Sequence, residues 1–222
     1  MNRESTADDA VPVTDAQVTD WESGLVLLSN CLRQPDDEIR RAIEDGAIRE
    51  AIDEYFDLPE GLEDSLAVDG RNLTEDYEAL FGAFATPFAP PAESPYKPWY
   101  GDRAGLMEGP PAADMERRYD ALGAEFGESY PADHVALLLE YASLLLEAGD
   151  DGTFAAFLSE HLDWIDAFGR MVEEARAEAP FYRSCVDVLV TVVEALRAEW
   201  EVADPSEEDI ASMVRNAKTN IE

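Results

Sequence analysis

Tyr130-Pro131-Ala132-Asp133-His134 opens a run, Val135 to Ala148, in which Val135, Leu137, Leu138, Leu139, Tyr141, Leu144, Leu145 and Leu146 leave hardly any polar face. A helix apolar on nearly all sides is a buried central helix. Asp133 has N-cap chemistry, because its carboxylate can accept from the free N–H groups of the first turn. His134 then falls at the first helical position, beside the positive end of the helix dipole, which disfavours a protonated ring. Glu140 is the one charge inside the run. It lies two turns beyond Asp133 and projects toward nearly the same side. A polar Asp-His pair is therefore expected at the tip of the most buried element, with an acidic residue further down the same wall.

The flanking sequence is helical throughout. Residues 1–13 are polar and acidic and read as a mobile leader. Thr14 and Gln17 have capping-box spacing before an amphipathic helix, Asp15 to Leu32. Shorter helices are expected over 36–45 and 47–56, then from Thr74 to Phe84, with Tyr77 and Phe81 at helical spacing on an apolar side. Further helices are expected over 112–126, from Thr153 to Ala177, and from Phe181 to Trp200. No strand, repeat or heptad series is legible. The expectation is an all-α, single-domain bundle of about seven to nine helices over residues 14–200, followed by a C-terminal tail, 201–222, with a short peripheral helix at 206–217.

One connection stands out. Residues 86–111 carry seven prolines together with Phe88, Tyr96, Trp99 and Tyr100. A long structureless connection inside a domain is uncommon and usually functional or disordered. Disorder favours segments poor in aromatics, so an ordered hinge loop folded over the body is expected. Tyr77 and Phe81 read as core residues. Tyr96, Trp99 and Tyr100 read equally as packing or as the lining of a peptide groove.

Composition narrows the classes. The chain has 222 residues, 50 of them acidic and 16 basic, for a formal net charge of -34, and its only lysines are Lys97 and Lys218. Acidic residues spread through the whole chain suit a high-salt cytoplasm. Molar salt shortens the Debye length to ~3 Å, so a partner would be held by short-range contacts. Nucleic acid is disfavoured, because nothing neutralises phosphates. There is no signal-peptide pattern and no apolar run of membrane-spanning length, which gives a cytoplasmic expectation without stable membrane insertion. Cys31 and Cys185 lie in apolar helical contexts and read as reduced core thiols; a disulfide between them is left open. His134 and His161 lack ligand spacing with either cysteine, so no metal site is expected. His161, on an aromatic helix face, reads as a packed, hydrogen-bonded core histidine. Glycine-rich phosphate loops and nucleophile elbows are absent.

Two stretches carry a resemblance. Tyr77-Glu78-Ala79-Leu80-Phe81, followed by Pro91-x-Glu93-Ser94-Pro95-Tyr96, resembles the first signature of the TorD/DmsD/NarJ-type redox-enzyme maturation chaperones. Pro131-Ala132-Asp133-His134-Val135-Ala136-x-x-Leu139-Glu140-Tyr141 resembles their second. His161-Leu162 with Trp164, and Pro180-Phe181-Tyr182, look like weaker features of the same family. Leu138 departs from it, standing where members often carry a second acid. The resemblance implies an all-α, non-enzymatic chaperone. Its partners would be the twin-arginine signal peptide and the apo catalytic subunit of a molybdopterin oxidoreductase, of dimethyl sulfoxide or trimethylamine N-oxide reductase type. Asp133, His134 and Glu140, with Glu93 and Ser94, would form the polar part of the peptide site; Tyr77, Phe81, Tyr96, Trp99 and Tyr100 would form the apolar part. It implies no resident cofactor, and either a monomer or a domain-swapped dimer. Several alternatives stay open: a nitrate reductase client, contact with GTP or the molybdenum cofactor, an acid–base enzyme using Asp133 and His134, and a purely structural partner subunit.

Overall fold

A computed structural model describes residues 19–59, 61–62, 66, 72–82, 89–99, 109–123 and 130–221. Among these, ten α-helices account for the regular structure: α1 (Trp21–Cys31), α2 (Asp37–Glu44), α3 (Ala47–Tyr55), α4 (Leu73–Phe81), α5 (Pro110–Leu122), α6 (Val135–Glu147), α7 (Asp151–His161), α8 (Ile165–Glu174), α9 (Pro180–Glu199) and α10 (Glu207–Ile221). The all-α expectation holds. The leader 1–13 and Tyr100 lie outside the described residues.

Two helices organise the body. α6 is buried from Val135 to Leu139 and again from Tyr141 to Ser143, as its sequence requires. In α9, eleven of twenty residues are buried. α1 and α7 each pack against both of them; α4 and α8 also lie on α9, and α10 lies on α8. Removing apolar side chains such as Leu138, Leu139, Leu189 and Val193 from water stabilises by about 1.5–3 kcal/mol each. Cys31 and Cys185 are buried free thiols, and their side chains are in hydrogen-bond contact between α1 and α9.

Local chemistry sets the helix ends. Asp36 caps α2 by accepting from the N–H groups of Glu38 and Ile39, both at 2.9 Å. Gly46, at φ 77°, makes the left-handed turn into α3, which β-carbon-bearing residues resist. Gly24 has a different role: a β-carbon there would overlap the buried ring of Phe56, so its absence lets α1 lie close to the chain leaving α3. Gly24→Ala should cost about 1–3 kcal/mol through overpacking, despite the ~1 kcal/mol gain in helix propensity. Urea unfolding measures this, and an unchanged or raised midpoint would refute the close packing.

The helix expected from Thr153 to Ala177 is two helices, broken at 162–164. The break has partners that the local pattern does not contain. Trp164 turns its indole N–H back to the carbonyl of His161 at 2.8 Å, and the guanidinium of Arg197 takes the carbonyl of Leu162 at 2.9 Å. Arg197 is buried and also pairs with Asp166 at 2.7 Å. The segment 201–222 carries α10, whose Ile210, Val214 and Ala217 are buried against the body.

Candidate functional site

The two signature stretches meet. Residues 91–94 lie antiparallel beside 133–135: the Glu93 N–H donates to the Asp133 carbonyl at 3.1 Å, and the Val135 N–H donates to the Pro91 carbonyl at 2.9 Å. Asp133 does not cap α6. Its Oδ2 instead accepts from the Ser94 N–H at 2.6 Å and from the Ser94 hydroxyl at 2.5 Å. The Ser94 hydroxyl in turn accepts from the Gly109 N–H at 3.1 Å, and the Ser94 carbonyl accepts from the Trp99 indole at 2.9 Å. A β-carbon on Gly109 would collide with both Ser94 and Trp99, so both flanks of the proline-rich segment close on the same serine. Asp133 is 0% exposed, and its Oδ1 has no hydrogen-bond partner among the described residues. Burial pushes its carboxyl upward, against the opposing effect of the Ser94 hydrogen bonds.

The capping role falls to the next residue. His134 Nδ1 accepts from the Ala136 N–H at 3.2 Å, so the ring is neutral with its proton on Nε2. Nε2 faces the Tyr77 hydroxyl at 3.5 Å, and Tyr130 lies over the ring at 4.4 Å between centroids. Burial, with help from the positive charge of Arg33, lowers the His134 pKa to about 3. The expected direction is present, with desolvation as its main cause. The unfolded chain therefore protonates first. The stabilisation from His134 is complete above about pH 6.5 and is lost as pH falls from there toward 3. His134→Asn keeps an N-cap acceptor without titrating. Between pH 6.5 and 5 the wild type should lose about 2 kcal/mol relative to this variant, as measured by urea midpoints. Parallel midpoints would contradict a buried neutral ring.

A second polar cluster lies on the other side of Glu93. Glu93 is 2% exposed, and its Oε2 is 2.8 Å from His161 Nδ1. His161 Nε2 is 3.1 Å from Asp114 Oδ2 on α5, and the ring stacks on Phe157 at 5.0 Å. With a carboxylate oxygen on each ring nitrogen, both nitrogens act as donors and the ring is an imidazolium. Burial opposes that charge, but Glu93, assisted by Asp114, outweighs it and raises the His161 pKa. Burial also raises Glu93 to about 7, against the pull of His161 and Lys97. Asp114 is tied to Arg118 at 2.6 Å, and Lys97 pairs with both Glu93 and Asp163. This network fastens the turn after Pro91 to α5 and α7.

The expected site residues thus divide. Glu93, Ser94, Asp133 and His134 come together, all buried. Tyr96 is corrected from groove lining to core: it is 0% exposed, its hydroxyl donates to the Pro90 carbonyl at 3.1 Å, and its ring packs on Trp164 at 4.9 Å. Phe81 is likewise buried, edge-on to Tyr77 and Tyr182. Tyr77 and Trp99 are half-buried. Glu140 faces α1 and pairs with Arg33 at 2.6 Å, with side chains 39% and 30% exposed. It forms no joint carboxylate site with Asp133, whose polar contacts lie toward Ser94. Pattern reading missed Asp114 and Lys97. Lys97 did carry a signal, as one of two lysines in an acidic chain, three residues after Ser94.

Residues 34–170 match the family model described as nitrate reductase delta subunit. Over 113 residues the chain is 32% identical to chaperone protein TorD of Aliivibrio fischeri, a stretch that is 44% of this chain and 51% of that protein. The match therefore spans about half the length of that relative. A crystal structure described as a redox enzyme maturation protein from Archaeoglobus fulgidus shares the fold, with a TM-score of 0.51 at 24% identity over 90% of this chain and 99% of that one.

Proposed function

We propose a function from one premise: the chain belongs to the nitrate reductase delta subunit family, the TorD/NarJ group. It is a redox-enzyme maturation chaperone, not an enzyme. It works in the cytoplasm, binding the twin-arginine signal peptide and the apo catalytic subunit of a molybdopterin-dependent oxidoreductase until the cofactor is inserted. The client is a reductase of the dimethyl sulfoxide or trimethylamine N-oxide type.

The observation that carries this reading is the joining of the two signature stretches through Ser94 and Asp133. Buried Glu93, Ser94, Asp133, His134, Tyr96 and Phe81 hold the surface in shape, and the half-exposed residues touch the peptide. Glu140, partly exposed beside Arg33, offers a further carboxylate to a cationic side chain of the client, and the planar fork of an arginine suits it. Tyr77 and Trp99 take apolar peptide side chains. An excess of 34 negative charges favours any arginine-bearing segment over an acidic one.

Deleting the gene tests this reading. One reductase of the dimethyl sulfoxide or trimethylamine N-oxide type should then accumulate without its molybdenum cofactor and lose activity, while unrelated oxidoreductases stay loaded. Full cofactor content in every molybdopterin oxidoreductase would overturn the proposal. Loss confined to a nitrate reductase would overturn the choice of client.

A further inference from the structure

α10 is fastened to the signature turn itself. Asn216 Nδ2 donates to the Tyr96 carbonyl at 3.1 Å, and Asn220 Nδ2 donates to the Pro95 carbonyl at 2.9 Å. These two carbonyls directly follow Glu93 and Ser94. The two asparagines are four residues apart and so share one helix face. Ala217, between them, is fully buried, which lets the helix approach closely. Lys218 pairs with Glu174 at the end of α8 at 2.5 Å, and at the other end of α10 Arg170 grips Glu207 at 2.8 and 2.6 Å. Ser206 and Asp209 cap the helix reciprocally: the Ser206 hydroxyl donates to Asp209 Oδ2 at 2.5 Å, and the Asp209 N–H donates to the Ser206 hydroxyl at 3.2 Å. α10 is therefore a self-contained amphipathic helix seated on α8 and on the turn at 95–96. The family match ends at residue 170, before it begins.

We propose that this seat is an exchangeable docking site, and that α10 is its resting occupant, displaced by the client peptide. The inference rests on the chaperone reading and deepens it by naming where the peptide docks. The seat presents backbone carbonyls and a carboxylate beside an apolar face. If α10 simply left, the carbonyls of Pro95 and Tyr96 would lose their donors, so a replacement must bring its own. A peptide with two arginines next to an apolar helical segment supplies both requirements. Its guanidinium groups replace the amides of Asn216 and Asn220, its apolar face replaces Ile210, Val214 and Ala217, and Glu174 gains a cation in place of Lys218. The apparent affinity for the peptide is then lowered by the fraction of time α10 occupies the seat.

Hydrogen exchange of the full-length chain tests this with two added peptides. The first is a synthetic copy of residues 206–222. At saturation it should speed exchange of the α10 amides about tenfold by displacement, with α6 and α9 unchanged. Undiminished α10 protection would overturn the inference and leave the chaperone reading standing. The second is a peptide with two adjacent arginines followed by a leucine–alanine segment. Binding with α10 released supports the inference. Binding with α10 still protected overturns it without touching the chaperone reading. No binding, with α10 displaced by its own copy, removes the chaperone reading and with it the named occupant. Asn216→Ala with Asn220→Ala, in the full-length chain, should tighten apparent binding of the second peptide about tenfold by opening the seat. Equal or weaker binding by the variant would contradict the inference.

Discussion

His161→Ala is expected to lower stability by about 3–5 kcal/mol, the cost of leaving a buried charge without its partner. The stranded group is Glu93, 2% exposed, whose carboxylate sits 2.8 Å from the ring. Asp114 suffers less, because Arg118 remains beside it. For a chain of this size, each kcal/mol moves the melting temperature by ~2–4 °C, so a drop of about 10 °C is expected. Removing both members as Glu93→Leu with His161→Leu should recover much of the loss, because an apolar pair leaves no uncompensated charge.

The pH dependence has a definite sign. His161 has a raised pKa in the folded chain. Its stabilisation is complete below about pH 6.5, the unfolded value, and is lost as pH rises through the folded value. Burial raises Glu93 toward 7, so below that pH the unpaired Glu93 of His161→Ala escapes its charge by taking up a proton. The deficit of His161→Ala should therefore be smallest near pH 5.5, where Glu93 can be neutral, and grow toward pH 7. A deficit under about 1 kcal/mol at every pH, from urea melts, would contradict an imidazolium held between two carboxylates.

Asp133→Ala is expected to cost about 3 kcal/mol. It removes two charge-assisted hydrogen bonds, from the Ser94 N–H and the Ser94 hydroxyl, each worth ~1.5–3 kcal/mol when considered alone. It also frees the Ser94 hydroxyl, which holds Gly109, so both flanks of the proline-rich segment loosen together. Ser94→Ala removes only the hydroxyl and should cost ~1–2 kcal/mol. Asp133→Asn keeps an acceptor and should fall between the two. Peptide binding should weaken at least tenfold in Asp133→Ala, even in conditions where the variant is fully folded, because the turn carrying Trp99 is no longer positioned. Urea unfolding and titration on the same samples separate the two effects. A change under about 0.5 kcal/mol, within the range of ordinary surface substitutions, would mean that Asp133 does not hold the turn.

What was legible beforehand follows the range of each physical signal. The apolar run after His134 and the spacing of Val186, Leu189, Val193 and Leu196 report burial directly, so α6 and α9 stood out. Caps were legible in kind but displaced by one residue. Asp133 has the better capping side chain, yet Ser94, 39 positions away, offers it two donors, and the histidine caps instead. The break at 162–164 was invisible because its stabilising group is Arg197 on another helix. Tyr96 sits among prolines like a surface residue, and Trp164 and Phe168 across the fold make it core. His161 read correctly as a hydrogen-bonded core residue, but its two carboxylate partners come from a loop and from α5, which no local period links. α10 was expected as a short peripheral helix. Its attachment depends on backbone carbonyls at 95 and 96, and carbonyls leave no trace in a sequence.

Recognition of a twin-arginine signal peptide is the property on which the proposed function turns. The most direct measurement is calorimetric titration of the chain, in molar potassium chloride, with the signal peptide of a molybdopterin oxidoreductase from the same genome, beside a control in which both arginines are alanine. Saturable binding to the first peptide, lost in the control, is the expected result. Heat that is absent for both peptides, with the chain demonstrably folded, would contradict it.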